Sequence, residues 1–274
     1  MKLSSAFPFL ILLSCTALSE ATVVFTTNFD DQTAGTTISP LLTETGGGTR
    51  DSLFVDLGGS DIALRQTISG TSTSNASASF AAANAQFVTA GGFEITTTFT
   101  LNSFTLAGNG VVNVSLSAFG SDSNLGSGSA YRLVYTVGVN NAGTLALSDT
   151  TASPNGVTVV TPSSGNIAPV SGGTQFLTLT LKGIYESPTL IRLTGTVSNG
   201  SSTLTTVVTD TSILTGTNFG VRAAQNGDGS SNAETVTYSG ITLETIPEPS
   251  ALVFAFATAG FSVCDGNALE AQNF

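Results

Sequence analysis

Alternation of apolar with hydroxyl-bearing residues is the feature that most constrains this chain. "FEITTTFTL" (93–101) places Phe93, Ile95, Phe99 and Leu101 on one side. "VVNVSLSAF" (111–119) does the same with Val112, Val114, Leu116 and Ala118, and "YRLVYTVGV" (131–139) with Tyr131, Leu133, Tyr135, Val137 and Val139. "FLTLTLKGIY" (176–185), "IRLTGTV" (191–197), "STLTTVVT" (202–209), "FGVRA" (219–223) and "ETVTYSGITLE" (234–244) continue the series. A period of two buries one face of an extended strand and would scatter apolar groups around a helix. The Thr and Ser face stays solvated, which antiparallel sheets allow. Many such segments, separated by Gly, Asn, Asp and Ser, predict an all-β antiparallel β-sandwich over residues 22–245. No strict longer repeat occurs, which argues against a propeller or a β-helix. The Ala-rich stretch 75–87 reads as a turn of helix or a loop. Residues 43–51, 120–130, 153–173 and 225–234 read as loops, the natural binding edge of a sandwich and equally its natural place for insertions.

Composition narrows the setting. Charged residues make up 9% of the 274 and the net charge is −11, while 41% are hydrophobic. An acidic, Lys-poor surface repels phosphate backbones and anionic lipid, so nucleic acid is not an expected partner. At the N-terminus, Lys2 precedes an apolar core at Ala6–Leu13, and Ser19-Glu20-Ala21 puts small residues where a signal peptidase reads. Residues 1–21 are therefore expected to be a signal helix cleaved after Ala21; a lipoprotein signal at Cys15 is the alternative, with Thr16 where a small residue is usual. Cys15 leaves with that segment and Cys264 lies in the terminal apolar run, so no disulfide is expected inside the sandwich.

Near the other end, "IPEPSALVFAFATAGF" sets Pro247, Glu248, Pro249 and Ser250 directly before an apolar run. The prolines hold the triplet extended and outside any ladder, as an accessible handle. This segment, 246–264, resembles the PEP-CTERM sorting signal of bacterial surface proteins. The resemblance implies processing by a membrane-embedded exosortase, transient membrane contact through 251–264, and a place at the Gram-negative cell surface or in its exopolysaccharide matrix. The chain departs from that pattern in two ways. The run Ala251–Cys264 is 14 residues, short of the ~20 of a spanning helix, and residues 265–274 form a polar tail with Asp265 and Glu270 instead of arginines. With that tail, the resemblance implies inefficient sorting and some freely secreted protein. The strand order from "TTNFDD" to "VTYSGITLE" resembles the concanavalin A-like, laminin-G-like jelly roll, with the signal helix before it and a short apolar helix after it.

Catalytic chemistry has few groups to work with. There is no histidine, which removes Ser-His-Asp triads, Cys-His pairs and His-ligated zinc. A glycosidase needs two carboxylates, yet Glu94 and Glu186 stand alone in the sequence, and the clustered acidic strand of sandwich glucanases is missing. The best cation candidate is "NGDGSSNAE", with Asn226, Asp228, Ser230, Asn232 and Glu234 at alternate positions as oxygen ligands for calcium, aided by Asp30 and Asp31; an ordinary Asx-rich turn is the competing reading. Without tryptophan, a sugar-stacking platform would have to come from Tyr131, Tyr135, Tyr185 or Tyr238, whose positions within the alternation read as core. Arg132, Arg192 and Arg222 fall on the solvated phase of their strands, where each is either a contact for an acidic glycan or a plain surface charge. The expectation is a non-catalytic structural or adhesive protein of the polysaccharide matrix, with a lectin-like carbohydrate-binding module and a degenerate glycoside hydrolase as alternatives.

Overall fold

A computed structural model describes residues 20–36, 42–69, 74–103, 106, 110–138, 143–150, 157–162, 167–169, 174–226 and 233–247. Within the compact unit Ala21–Glu248, the first strands are β1 (Val23–Thr27), β2 (Thr43–Gly47), β3 (Thr49–Gly58), β4 (Asp61–Ser69) and β5 (Ser74–Ala81). A short helix, α1 (Ala85–Ala90), leads to β6 (Gly92–Ser103), β7 (Val111–Gly120), β8 (Ala130–Gly138), β9 (Gly143–Thr150) and β10 (Val157–Pro162). The chain continues through β11 (Leu177–Ser187), β12 (Leu190–Ser198), β13 (Thr203–Asp210), β14 (Asn218–Asn226) and β15 (Ala233–Thr245). Two antiparallel sheets result. One runs β13-β12-β11-β6-β15-β4-β3, with β1 also paired to β15; the other runs β10-β9-β8-β7-β14-β5-β2. The antiparallel sandwich expected from the alternation is the fold observed.

Alternation decides what fills the space between the sheets. Tyr131, Leu133 and Tyr135 of β8 are fully buried, as are Phe93, Ile95 and Phe99 of β6 and Leu177, Leu179 and Leu181 of β11. The centre of the core is aromatic. Phe119 lies edge-on to Phe93, Phe219, Phe87 and Tyr131, with the nearest ring centroids 4.9 Å and 5.0 Å away. Each such ring contributes roughly 1.5–3 kcal/mol by leaving water. Phe119 reaches the inner side through a left-handed backbone, φ 55°, where β7 shifts register against β14. Without that bulge the alternation would carry it outward.

The threonines have an equally regular arrangement. Thr26, Thr242, Thr96, Thr180, Thr196 and Thr205 stand opposite one another in a single row across β1, β15, β6, β11, β12 and β13. Their hydroxyls pair across strands, Thr96 with Thr180 at 3.1 Å and Thr26 with Thr242 at 3.2 Å. Methyl groups pack sideways while hydroxyls meet water, which is why a hydroxyl-rich sequence covers the outer face of a sheet so well.

Three segments differ from the sequence expectation. Residues 43–51 are not a loop: β2 ends in one sheet and β3 begins in the other, with Gly48 as the whole connection. Its φ is +79°, and a Cβ there would lie 2.9 Å from the Cα of Ser74, so only glycine makes the crossing. The span 153–173 contains a six-residue strand, β10, which pairs with β9 and ends the order of the seven-stranded sheet. The Ala-rich stretch 75–87 divides into strand β5 and the start of α1. Ala76 and Ala78 face the core beneath larger neighbours, so small size there reflects packing and not helix propensity.

Candidate functional site

The site is built on the outer face of the seven-stranded sheet. On β14, Val221 and Ala223 point into the core, so Arg222 between them points out. On β8, Tyr131 and Leu133 point in and Arg132 points out. Register then brings the two arginines to either side of β7: Arg222 lies opposite Ser115 of β7 and Ser77 of β5, and Arg132 opposite Ser117 of β7 and Ser148 of β9. Small neighbours leave room for the guanidinium groups to lie along the sheet.

The connection between β7 and β8 folds back over this face. Ser121 N–H donates to the carbonyl of Ser129 (2.9 Å), and Asp122 Oδ1 accepts from Asn124 N–H (2.9 Å). Asn124 Oδ1 accepts from Gly126 N–H (3.2 Å). Leu125 is fully buried, and Thr45 of β2 donates its hydroxyl to the Ser123 carbonyl at 3.2 Å. Gly126 rests directly on Arg222: a Cβ at that position would sit 2.6 Å from Nε and 3.0 Å from Cζ.

Burying two cations on one sheet face has an electrostatic consequence. Burial pushes the Arg222 guanidinium down to about 10, with the like charge of Arg132 adding to it, and burial lowers Arg132 as well. The ion pairs among the described residues are Arg50–Glu44, Lys182–Glu94 and Arg192–Glu186, none of them on this face. Arg132 Nε and Nη2, Arg222 Nε, and the hydroxyls of Ser77 and Ser117 are buried with no hydrogen-bond partner among the described residues. Five atoms able to donate are thus buried on this face without a bonded acceptor among the described residues. Chemically the arrangement suits an oxyanion.

Of the three arginines picked out by their phase, Arg192 alone is an open surface charge, held by Glu186 at 2.8 Å. Arg132 and Arg222 do face outward, but both are largely withdrawn from water, and Gly126 of the β7–β8 connection rests on Arg222, which the alternation cannot foretell. Tyr131, Tyr135 and Tyr238 are buried, and Tyr185 is half-buried against the core, so none of the four is an open stacking platform. Glu94 is less isolated than its sequence context suggests. It stands directly opposite Glu244 on β15, the two sharing a surface depression with Thr96 and Thr242, while Lys182 contacts Glu94 at 3.8 Å.

Two of the five calcium candidates in 226–234 fall within the described residues. Glu234 is fully buried on β15 and Asn226 closes β14, while Asp228, Ser230 and Asn232 lie outside the described residues. Asp30 Oδ1 accepts from Ile62 N–H at 3.1 Å and so fastens the end of β1 to β4. Among the described residues no group of three or more His, Cys, Asp or Glu is placed to hold a metal. At the sandwich edge, Thr22 N–H donates to Thr245 Oγ1 (3.0 Å), and Thr245 N–H to the Thr22 carbonyl (2.9 Å). The expected cleavage point after Ala21 therefore adjoins the strand end that leads into Pro247. Glu248, Pro249 and Ser250 lie outside the described residues, as do residues 1–19 of the signal helix expected at 1–21 and the whole apolar segment 251–264.

No protein-family model matches the chain, and no curated protein does. Solved structures do. A carbohydrate esterase of the Shiga toxin-encoding bacteriophage phi24B superposes with a TM-score of 0.51 at 13% identity, over 83% of this chain and 100% of that one. Lectin I of Ulex europaeus, solved with the methyl glycoside of α-L-fucose, gives 0.49 at 10% identity, over 82% and 98%. Peanut lectin gives 0.44 at 13%, over 82% and 97%. The likeness to the phage protein is one of fold alone, an antiparallel β-sandwich.

Proposed function

We infer that this chain is an exported, non-catalytic adhesive protein that binds carbohydrate in an extracellular polysaccharide matrix. The observation that carries the reading is the set of buried, acceptorless donors on the outer face of the seven-stranded sheet. A sugar or its anionic substituents would supply the missing acceptors. Polar groups left this way cost free energy unless a ligand or water satisfies them. Export is supported by the signal-like N-terminus, and surface sorting by Pro247-Glu248-Pro249-Ser250. The absence of catalysis is supported by the missing histidine and by the setting of Glu94 and Glu244. An acid–base pair needs one carboxyl kept protonated by a dry environment, whereas these two are half-exposed and Glu94 is in contact with Lys182.

A glycan array probed with the full chain, with and without calcium, tests the binding reading. Specific micromolar binding to a polysaccharide class is the expected result; silence across acidic and neutral glycans would overturn it. Mass spectrometry of the C-terminal peptide from membrane, matrix and medium tests the sorting reading. A terminus near Pro249 is expected in the surface fraction, and an intact 265–274 tail in every fraction would count against it.

A further inference from the structure

We propose that Arg132 and Arg222, with Ser77 and Ser117 beside them, form a cradle for a carboxylate of an acidic polysaccharide on the outer face of the seven-stranded sheet, bordered at Arg222 by the β7–β8 connection. The proposal rests on the carbohydrate reading and deepens it by naming the ligand class.

Three observations converge. The first is charge without a counterion. Two guanidinium groups are held on one sheet face, both largely withdrawn from water, and the described residues bring no carboxylate to either. Buried like charges persist only when something compensates them, and in a chain with 7 basic residues against 18 acidic ones a chance clustering of buried cations is unexpected. The second is geometry. The unpartnered atoms of Arg132 are Nε and Nη2. These form one edge of the planar fork, the edge that meets both oxygens of a carboxylate in parallel N–H···O bonds. A carboxylate is planar like the fork; the neutral hydroxyls of a sugar present no such pair of coplanar acceptors. The third is the surroundings. Ser77 and Ser117 add hydroxyl donors, and Gly126 keeps the cover thin where it crosses Arg222.

The rest of the protein sets the selectivity. A net charge of −11 repels a polyanion at long range, so a uronic-acid polymer is held only where the cradle acts. Added salt screens the repulsion over ~8–10 Å while leaving the buried contacts less affected. Binding should therefore hold or strengthen between low and physiological salt, the reverse of an exposed basic patch.

The test uses calorimetric titration of the full chain with tetrasaccharides of galacturonate, glucuronate and mannuronate. Each is paired with its methyl ester, which keeps the sugar and removes the charge; a sulfated tetrasaccharide and inorganic sulfate complete the set. At least one uronide should bind about tenfold or more tighter than its ester. Arg132→Lys keeps the charge and loses the fork, and Arg222→Gln loses the charge; each should weaken that uronide about tenfold. Gly126→Ala, which presses on Arg222 without removing it, should weaken it too. Because the cations are uncompensated, Arg222→Gln should melt no lower than the wild type, and the uronide should raise the melting temperature of the wild type alone. Equal binding of acid and ester, or uronide binding unchanged in Arg132→Lys and Arg222→Gln, overturns the cradle. A neutral glycan that binds the wild type and both variants alike overturns the cradle and leaves the carbohydrate reading standing. Preference for the sulfated sugar or for sulfate alone overturns the carboxylate assignment, and binding of no saccharide overturns both readings.

Discussion

The Tyr131 hydroxyl donates to Asp210 Oδ2 at 2.7 Å and accepts from Leu214 N–H at 3.0 Å. The tyrosine belongs to β8 of one sheet and the aspartate ends β13 of the other, so one buried phenol ties the two sheets at this end of the sandwich. Burial and the bond to Asp210 both hold its proton in place, raising it well above the ordinary phenol range. Tyr131→Phe keeps the ring against Phe119 and removes only the oxygen. A hydrogen bond to a charged group contributes about 1.5–3 kcal/mol, so the variant should lose about 2 kcal/mol in urea unfolding with an unchanged slope. A loss under about 0.5 kcal/mol would show that the tie is not a stabilising contact.

Asp149, on β9 beside the same cluster, predicts a pH dependence. Burial, and secondarily the charge of Asp210, raise its carboxyl to about 6. The unfolded chain releases this proton near 3.9, so the folded state holds it over the window between about 4 and 6. Stability contributed by this group is full below that window, falls as pH rises through it, and stays reduced above it. Asp149→Asn is neutral throughout. It should be more stable than the wild type by roughly 2 kcal/mol at pH 7.5, and that advantage should disappear at pH 3.5. Thermal melts of both proteins at the two pH values give the comparison, in which pH-independent packing changes cancel. A difference that stays constant with pH would rule the effect out.

Alternation makes the inner face of this sandwich legible in the sequence: Tyr131, Leu133 and Tyr135 are where period two puts them. Pairing was not legible. Glu94 reads as solitary because nothing local says that β6 lies against β15 with Glu244 opposite. Arg132 and Arg222 read as separate charges, each a glycan contact or a plain surface charge, because the strand that unites them, β7, pairs with both of their strands through contacts distant in sequence. Cover was also hidden. A Gly- and Ser-rich connection such as 120–130 carries no signal that it will fold back on its own sheet, since its anchoring is done by Asx turns and by one buried residue, Leu125. The paired threonine row could have been foreseen only with the register in hand. Chemistry that depends on register and loop return lies beyond period and composition.

Phe119 carries the aromatic core on a strained backbone. Its rings in contact come from α1, β6, β8 and β14, so one truncation loosens both sheets and the helix. Phe119→Ala should cost about 3–5 kcal/mol, the range for deleting a buried ring. Phe119→Gly removes the same ring but relieves the left-handed φ of 55°, and should therefore be no worse than the alanine variant, against the usual penalty for glycine in a strand. Chemical denaturation of the two variants decides the point: a glycine variant weaker by more than about 1 kcal/mol would mean that the φ imposes no cost.

Gly195 sets the spacing between the sheets. It lies on β12 opposite Leu181 and Thr206, and a Cβ at that position would fall 2.2 Å from Leu133 Cδ1 of β8. Leu133 is itself fully buried among core neighbours, so it cannot swing aside without disturbing them. Gly195→Ala should destabilise by about 1–3 kcal/mol through overpacking, although alanine is better suited than glycine to a strand. Leu133→Val withdraws the clashing methyl and makes the deciding measurement possible. Alone it should cost about 1 kcal/mol, but combined with Gly195→Ala it should recover part of the alanine penalty. The two sites would then show a favourable coupling of about 0.5 kcal/mol or more in a double-mutant cycle. Strictly additive losses would mean that the sheets accommodate the methyl by moving apart and that the Gly195–Leu133 contact does not fix their separation.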